Sequence, residues 1–256
     1  MVILRRVIDE VKGDVEHVEI VAAASREPRE AAEPYLRAFE EMGIRRVDAL
    51  PLQGRSEVEE SRTVERLGSA DVIYLTGGDQ RRLADVFRGT RALDVIRERY
   101  AGGAVIAGTS AGAAAMSSTM IARGAEEEGL NKGNVETEEG LGLLPSSVID
   151  THFIQRGRFG RLMEAVTHER TLIGLGISED TALVVREGRR LEVVGSDNVI
   201  VVDGHEIGHS SHDEADHGEA MAVERIVVHA LSEGYSYDLE TRAFHAPKGA
   251  AKKVSA

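Results

Sequence analysis

The chain contains no cysteine. Disulfides, thiol nucleophiles and cysteine-based zinc sites are therefore excluded. Positive charge is in deficit: 31 Lys and Arg stand against 44 Asp and Glu, for a formal charge of −13. An acidic surface argues against nucleic acid or an anionic membrane as partner, but leaves room for a local basic site inside it. Long apolar runs are missing as well, and none approaches the ~20 residues of a membrane span. The opening MVILRRVIDEVKGD carries charges where a secretory leader has its apolar stretch, so a cytoplasmic protein is expected.

With 256 residues, 42% of them hydrophobic, the chain can bury one substantial core. A single domain over residues 1–245 is expected, followed by a disordered tail at 246–256. Apolar runs with strand character fall at 15–25, 44–52, 71–80 and 104–110. Stretches with helical spacing fall between them, at 28–43, 56–70, 80–89 and 90–103. Such alternation predicts a mostly parallel sheet with helices on both faces. The texture changes after residue 180: residues 181–204 read as short strands joined by turns, forming an antiparallel appendage to the same domain. Residues 205–220 read as a polar loop.

Residues 104–110 lead into Gly108-Thr109-Ser110-Ala111-Gly112, and an alanine run follows. Gly-x-Ser-x-Gly between a strand and a helix is the context of a nucleophile elbow. The sharp turn strains the serine backbone and demands small neighbours. The following helix N-terminus offers free N–H groups to a developing oxyanion. A glycine-rich connection without chemistry would also fit this motif alone.

A serine nucleophile needs a base, and residues 146–166 supply a candidate. There a strand runs into a helix through a turn holding His152, Gln155, Arg156, Arg158 and Arg161. Three arginines within six residues, in so acidic a chain, suggest a site that holds carboxylates, although any one of them alone would also fit a solvated helix face. Arg156, nearest the histidine, is the first candidate for a substrate contact. One of the other two could instead tie the turn to a core carboxylate such as Asp150, and Arg161, deeper in the helix, is the structural candidate. A third member should be a carboxylate that orients the histidine. Glu179 and Asp180 stand where the apolar run at 172–177 ends, a common place for function in open α/β sheets.

Together YLTGGDQRRL, AGTSAGAAAMSSTMI, GLGLLPSSVIDTHFIQRGRFGRL and GISEDTAL resemble the cyanophycinase family of serine peptidases. The resemblance runs in order from about Glu19 to Gly204. It implies a fold like class I glutamine amidotransferases: a flavodoxin-like, three-layer α/β/α sandwich. It implies a catalytic set of Ser110, His152 and Glu179, whose order differs from the Ser–acid–His order of α/β-hydrolases. It also implies an oxyanion hole made by the backbone N–H of Ala111 and those near Gly78 and Asp79. Residues 76–79 read equally as a plain strand–helix turn with Asp79 as the cap. Gln80 resembles the family glutamine that reaches the substrate. With the arginine cluster this nominates Gln80, Asp150, Thr151, Gln155, Arg156, Arg158 and Arg161 for substrate binding.

Two departures from the family stand out. The motif reads Asp150-Thr151-His152-Phe153, where the family typically has Asp-Gln-His-Phe; the missing glutamine lines the family's substrate pocket. The usual opening strand with its Gly-Gly turn is also absent. The activity implied is exopeptidase cleavage of cyanophycin, a poly-aspartate carrying arginine on each side-chain carboxyl, to β-Asp-Arg dipeptides. An aspartyl dipeptidase of the same superfamily is the near alternative, and a non-catalytic binding protein on the same fold the distant one. An acidic or arginine-containing peptide is the expected partner, with a homodimer as the family's assembly and no cofactor. His205, His209, His212 and His217, spaced by four, three and five, could approach one metal. A solvated loop without metal is expected instead.

Overall fold

A computed structural model describes residues 1–124 and 129–247. Most of the tail expected at 246–256 lies outside the described residues. Helix α1 (Val2–Asp9) precedes β1 (His17–Val21), α2 (Pro28–Glu41) and β2 (Arg46–Leu50). Then come α3 (Arg55–Val58), α4 (Ser61–Ser69), β3 (Val72–Leu75), α5 (Gln80–Phe87), α6 (Arg91–Ala101) and β4 (Val105–Gly108). These strands form a four-stranded parallel sheet in the order β2-β1-β3-β4. Every residue of β1 is buried, as a strand covered on both faces must be. Val18 and Ile20 pack with Ala32 and Phe39 of α2, while Val21 joins Leu67 of α4 and Leu93 of α6. The result is the expected three-layer, flavodoxin-like α/β/α arrangement.

The helix expected at 56–70 is broken into α3 and α4. The Thr63 hydroxyl donates to the Glu57 carbonyl at 2.7 Å, an acceptor that a continuous helix would give to the Ser61 N–H.

After β4 the chain makes α7 (Ala111–Ala114), the hairpin β5 (Thr119–Gly124) and β6 (Val135–Glu139), and β7 (Ser147–Thr151). Next are α8 (Phe159–His168), β8 (Ile173–Ile177), β9 (Thr181–Arg186), β10 (Arg190–Gly195) and β11 (Val199–Asp203). The chain then forms β12 (His209–Ser210), β13 (Val223–Glu224), β14 (Val227–Leu231), β15 (Ser236–Asp238) and β16 (Ala243–His245). A second sheet runs β14-β11-β8-β7, with β7 and β8 parallel and the others antiparallel. A third, wholly antiparallel, runs β16-β15-β10-β9.

The expected appendage is therefore divided. β9 and β10 belong to the third sheet, but β11 extends the second, pairing Ile200 with Gly176. The alternation of β8 and β11 shows why. Leu175 and Val201 face the third sheet, while Ile200 and Val202 face α8, so two apolar faces need two covers. On the α8 side, Gly174 lies under Leu162 and Gly176 under the Phe153 ring, with no space for a Cβ. The polar loop at 205–220 is not wholly loop, because β12 pairs with β13.

Candidate active site

Ser110 follows β4 directly, with φ 50° and ψ −118°. This strained conformation is held because the chain around it is closely packed. A Cβ at Gly108 would strike the Gly112 backbone, one at Gly112 would strike Leu75, and Gly77 sits against the Ser110 Cβ. Small residues around the elbow are thus a steric requirement of three chains passing close together.

His152 follows β7, also at positive φ (52°). The next residue anchors it: Phe153 is fully buried against Gly176, and its N–H donates to the Ile177 carbonyl at 3.1 Å. Ser110 Oγ lies 2.9 Å from His152 Nε2, and His152 Nδ1 lies 3.0 Å from Glu179 Oε1. With the carboxylate accepting from Nδ1–H, Nε2 is left as acceptor for the serine hydroxyl. Three residues from three strand ends thus meet in one hydrogen-bonded chain.

Glu179 is held from behind. Its N–H donates to Gln155 Oε1 at 3.2 Å, and Gln155 Nε2 donates to Asp197 Oδ2 at 2.9 Å. The Glu179 carbonyl accepts from Thr181 Oγ1, and Ser196 N–H donates to the Asp180 carbonyl. Gln155, expected to touch substrate, is instead a brace for the Glu179 turn. Both ends of its amide are engaged there, and it is absent from the cavity wall.

A cavity of about 260 Å³ opens beside Ser110, lined among others by Gly78, Gln80, Ala111, Thr151, His152 and Arg156. Among the described residues, four arginines line it (Arg123, Arg156, Arg158, Arg161) and one carboxylate, Asp150. Its described lining is basic, in a chain of charge −13.

Asp150 is 2% exposed. Arg161 Nε donates to one of its oxygens at 2.6 Å, and Arg158 donates to the other at 3.2 Å, where a second Arg161 N–H also binds. Asp150 lines the cavity, with both its oxygens accepting from arginines. Arg158 and Arg161 are correspondingly bound into the wall, with Arg158 also donating to the Thr151 carbonyl at 2.7 Å. Gln80 does reach the cavity, and its Nε2 donates to the Ile121 carbonyl at 2.7 Å.

The expectation at Asp79 is corrected. Its N–H donates to the Ala24 carbonyl at 3.0 Å, and its carboxylate caps α5 through the Arg81 N–H at 2.9 Å. It therefore has no amide to offer an oxyanion. Gly78, at φ +143° with no room for a Cβ beside Ala24, lines the cavity with Ala111. Arg123 was not foreseen. Its only signal in the sequence is an arginine closing the apolar run Met120-Ile121-Ala122.

The loop histidines do not converge. His205 Nδ1 lies 3.0 Å from Asp203, His212 Nδ1 lies 3.1 Å from Asp213, and His217 covers Gly133. His212 is not solvated as expected: it packs on His168 of α8, with ring centroids 4.9 Å apart. Among the described residues, His17, Glu19 and Asp48 bring donor atoms close enough to share a metal. They lie on β1 and β2, the strands farthest from β4. Arg66 occupies both Glu19 oxygens and Arg46 binds Asp48, so arginine already fills the role of the cation.

Residues 3–193 match Peptidase family S51. The chain belongs to that family and is a serine peptidase, a hydrolase. A cyanophycinase of Nostoc sp. (strain PCC 7120 / SAG 25.82 / UTEX 2576) is 38% identical over 241 residues, covering 94% of this chain and 81% of its own. One from Geminocystis herdmanii (strain PCC 6308) is 34% identical over 225 residues, covering 88% and 83%. Within its family the protein is a serine exopeptidase of the cyanophycinase type. A solved peptidase from an acI-B1 Actinobacterium shares the fold, with a TM-score of 0.65 at 24% identity over 91% of this chain and 88% of that one.

Proposed function

We propose that the protein cleaves cyanophycin or related β-aspartyl peptides, with Ser110 as nucleophile, His152 as general base and Glu179 as the group that orients it. The observation that carries this reading is the hydrogen-bonded chain of 2.9 and 3.0 Å through His152. His152 Nε2 takes the hydroxyl proton as Ser110 Oγ attacks the scissile carbonyl. The N–H groups of Gly78 and Ala111 receive the oxyanion. His152 then returns the proton to the leaving amine, and water hydrolyses the acyl-serine by the same steps. The arginines of the wall favour a substrate rich in carboxylates.

The test is hydrolysis of cyanophycin and short β-Asp-Arg peptides, with labelling by a serine-directed fluorophosphonate. Ser110→Ala should abolish both, and His152→Ala should lower kcat by at least ~10²-fold. A folded wild-type protein that cleaves no acidic or isoaspartyl peptide overturns the proposal. Thr151, in the cavity wall where the family typically has glutamine, favours an aspartyl dipeptidase as the second reading; a preference for free aspartyl dipeptides over the polymer would select it.

The acidic composition and the family reading favour a cytoplasmic homodimer. Among the described residues no helix is long and apolar enough to cross a membrane. A solution mass near 27.7 kDa by light scattering would rule out the dimer.

A further inference from the structure

Arg158 and Arg161 are both bound to Asp150 inside the protein. Arg123 differs. It lines the same cavity from β5, a separate part of the chain. It makes no hydrogen bond or ion pair among the described residues. Its cross-strand neighbour on β6 is Glu136, a ready partner for an arginine, yet no pair forms.

The backbone explains this. The β5–β6 register shifts between Ile121 and Arg123, and a bulge of this kind re-aims the side chain that follows it. The bulge is pinned on both sides by the wall itself. Gln80 Nε2 donates to the Ile121 carbonyl at 2.7 Å, and Arg161 Nη1 donates to the Gly124 carbonyl at 3.5 Å. Arg123 is an exposed side chain on a backbone that the wall of the cavity holds in place.

We infer that Arg123 is a specificity-determining residue that reads a free carboxylate of the bound peptide, separately from the Asp150 cluster. The inference rests on the peptidase reading above. A planar guanidinium with no partner among the described residues, on a residue that lines the same cavity as Ser110 and His152, suits a carboxylate by its bidentate geometry. In a β-Asp-Arg oligomer that carboxylate has two sources: the C-terminus of the aspartyl backbone or the branch arginines.

Three peptides test the inference: a β-Asp-Arg oligomer, the same oligomer amidated at its backbone C-terminus, and the same oligomer amidated at its branch carboxylates. On the parent, Arg123→Gln should lower kcat/KM about ten-fold or more, through KM rather than kcat. Arg123→Lys should recover part of that loss. The loss should vanish on one amidated peptide, and that peptide identifies the source. No loss on the parent, or equal loss on all three, overturns the inference. Calorimetric binding of the parent to Ser110→Ala, with and without Arg123→Gln, separates this from the proposed function. Affinity that depends on Arg123, with no hydrolysis by the wild type, keeps the inference and overturns the function. Affinity that ignores Arg123 overturns the inference whatever the turnover.

Discussion

Asp150 and Glu19 are both buried carboxylates clamped by arginine. Asp150, closing β7, is held by Arg158 and Arg161. Glu19, within β1, is fully buried and held at both oxygens by Arg66, at 2.8 and 2.7 Å. Around Glu19 the cluster continues through His17, 3.5 Å away, to Asp48 and its partner Arg46. The local chemistry is nearly the same, a desolvated charge neutralised by a bidentate guanidinium. The surroundings differ. Asp150 lies near the end of its strand and lines a cavity shared with Ser110 and His152. Glu19 is enclosed between the sheet and α4. Pairing of this kind therefore marks where a buried charge needs neutralising. The proposed chemistry is marked by the strand end and the Ser110–His152 pair beside it.

The sharpest way to break this comparison is to remove each carboxylate in turn. Asp150→Asn leaves two guanidinium groups without their counter-charge in the wall. It should cost about 3–5 kcal/mol and lower kcat/KM by ~10² or more. Glu19→Gln should cost a similar amount of stability while leaving kcat/KM unchanged at a temperature where the variant is folded. Urea melts and steady-state rates decide this, and equal activity losses in the two variants would erase the distinction.

Arg156 sharpens the comparison from the cavity side. It is an exposed pocket-lining residue of the turn after His152. Arg156→Ala should lower kcat/KM about ten-fold with little change in melting temperature. Arg161→Ala should lower both, because Arg161 is 8% exposed and bound to Asp150.

The smallest effect belongs to Asp48. Burial alone would raise its carboxyl, but the Arg46 hydrogen bond and the charges of Arg66 and Arg46 outweigh this and hold it below the ordinary value. A folded pKa below the unfolded one stabilises the protein above about pH 4, and that contribution is lost as pH falls through the folded pKa. Because the side chain is 40% exposed, Asp48→Asn should cost under ~1 kcal/mol at pH 7. The difference from wild type should shrink in acid, as denaturant melts at the two pH values would show.

Much of the site was legible because its signals are short-range. Gly108-Thr109-Ser110-Ala111-Gly112 between an apolar run and an alanine run specifies strand, strained turn and helix from backbone sterics alone. His152 and Glu179 each end an apolar run, and the parallel sheet follows from the strand–helix alternation. None of these features needs knowledge of a distant partner.

Partners are what the tertiary structure decided. The amide of Asp79 is consumed by Ala24, a residue of another loop. Gln155 turns back to brace Glu179 because β8 and β10 end beside it, bringing Asp197 within reach. Asp150 takes both of its arginines because α8 lies across β7. Arg123 enters the cavity through one bulge in a hairpin. Periodicity and turn sterics act over a few residues and can be read along the chain. A side chain's hydrogen-bond partner depends on which remote segment packs against it, and only the folded sheet order settles that.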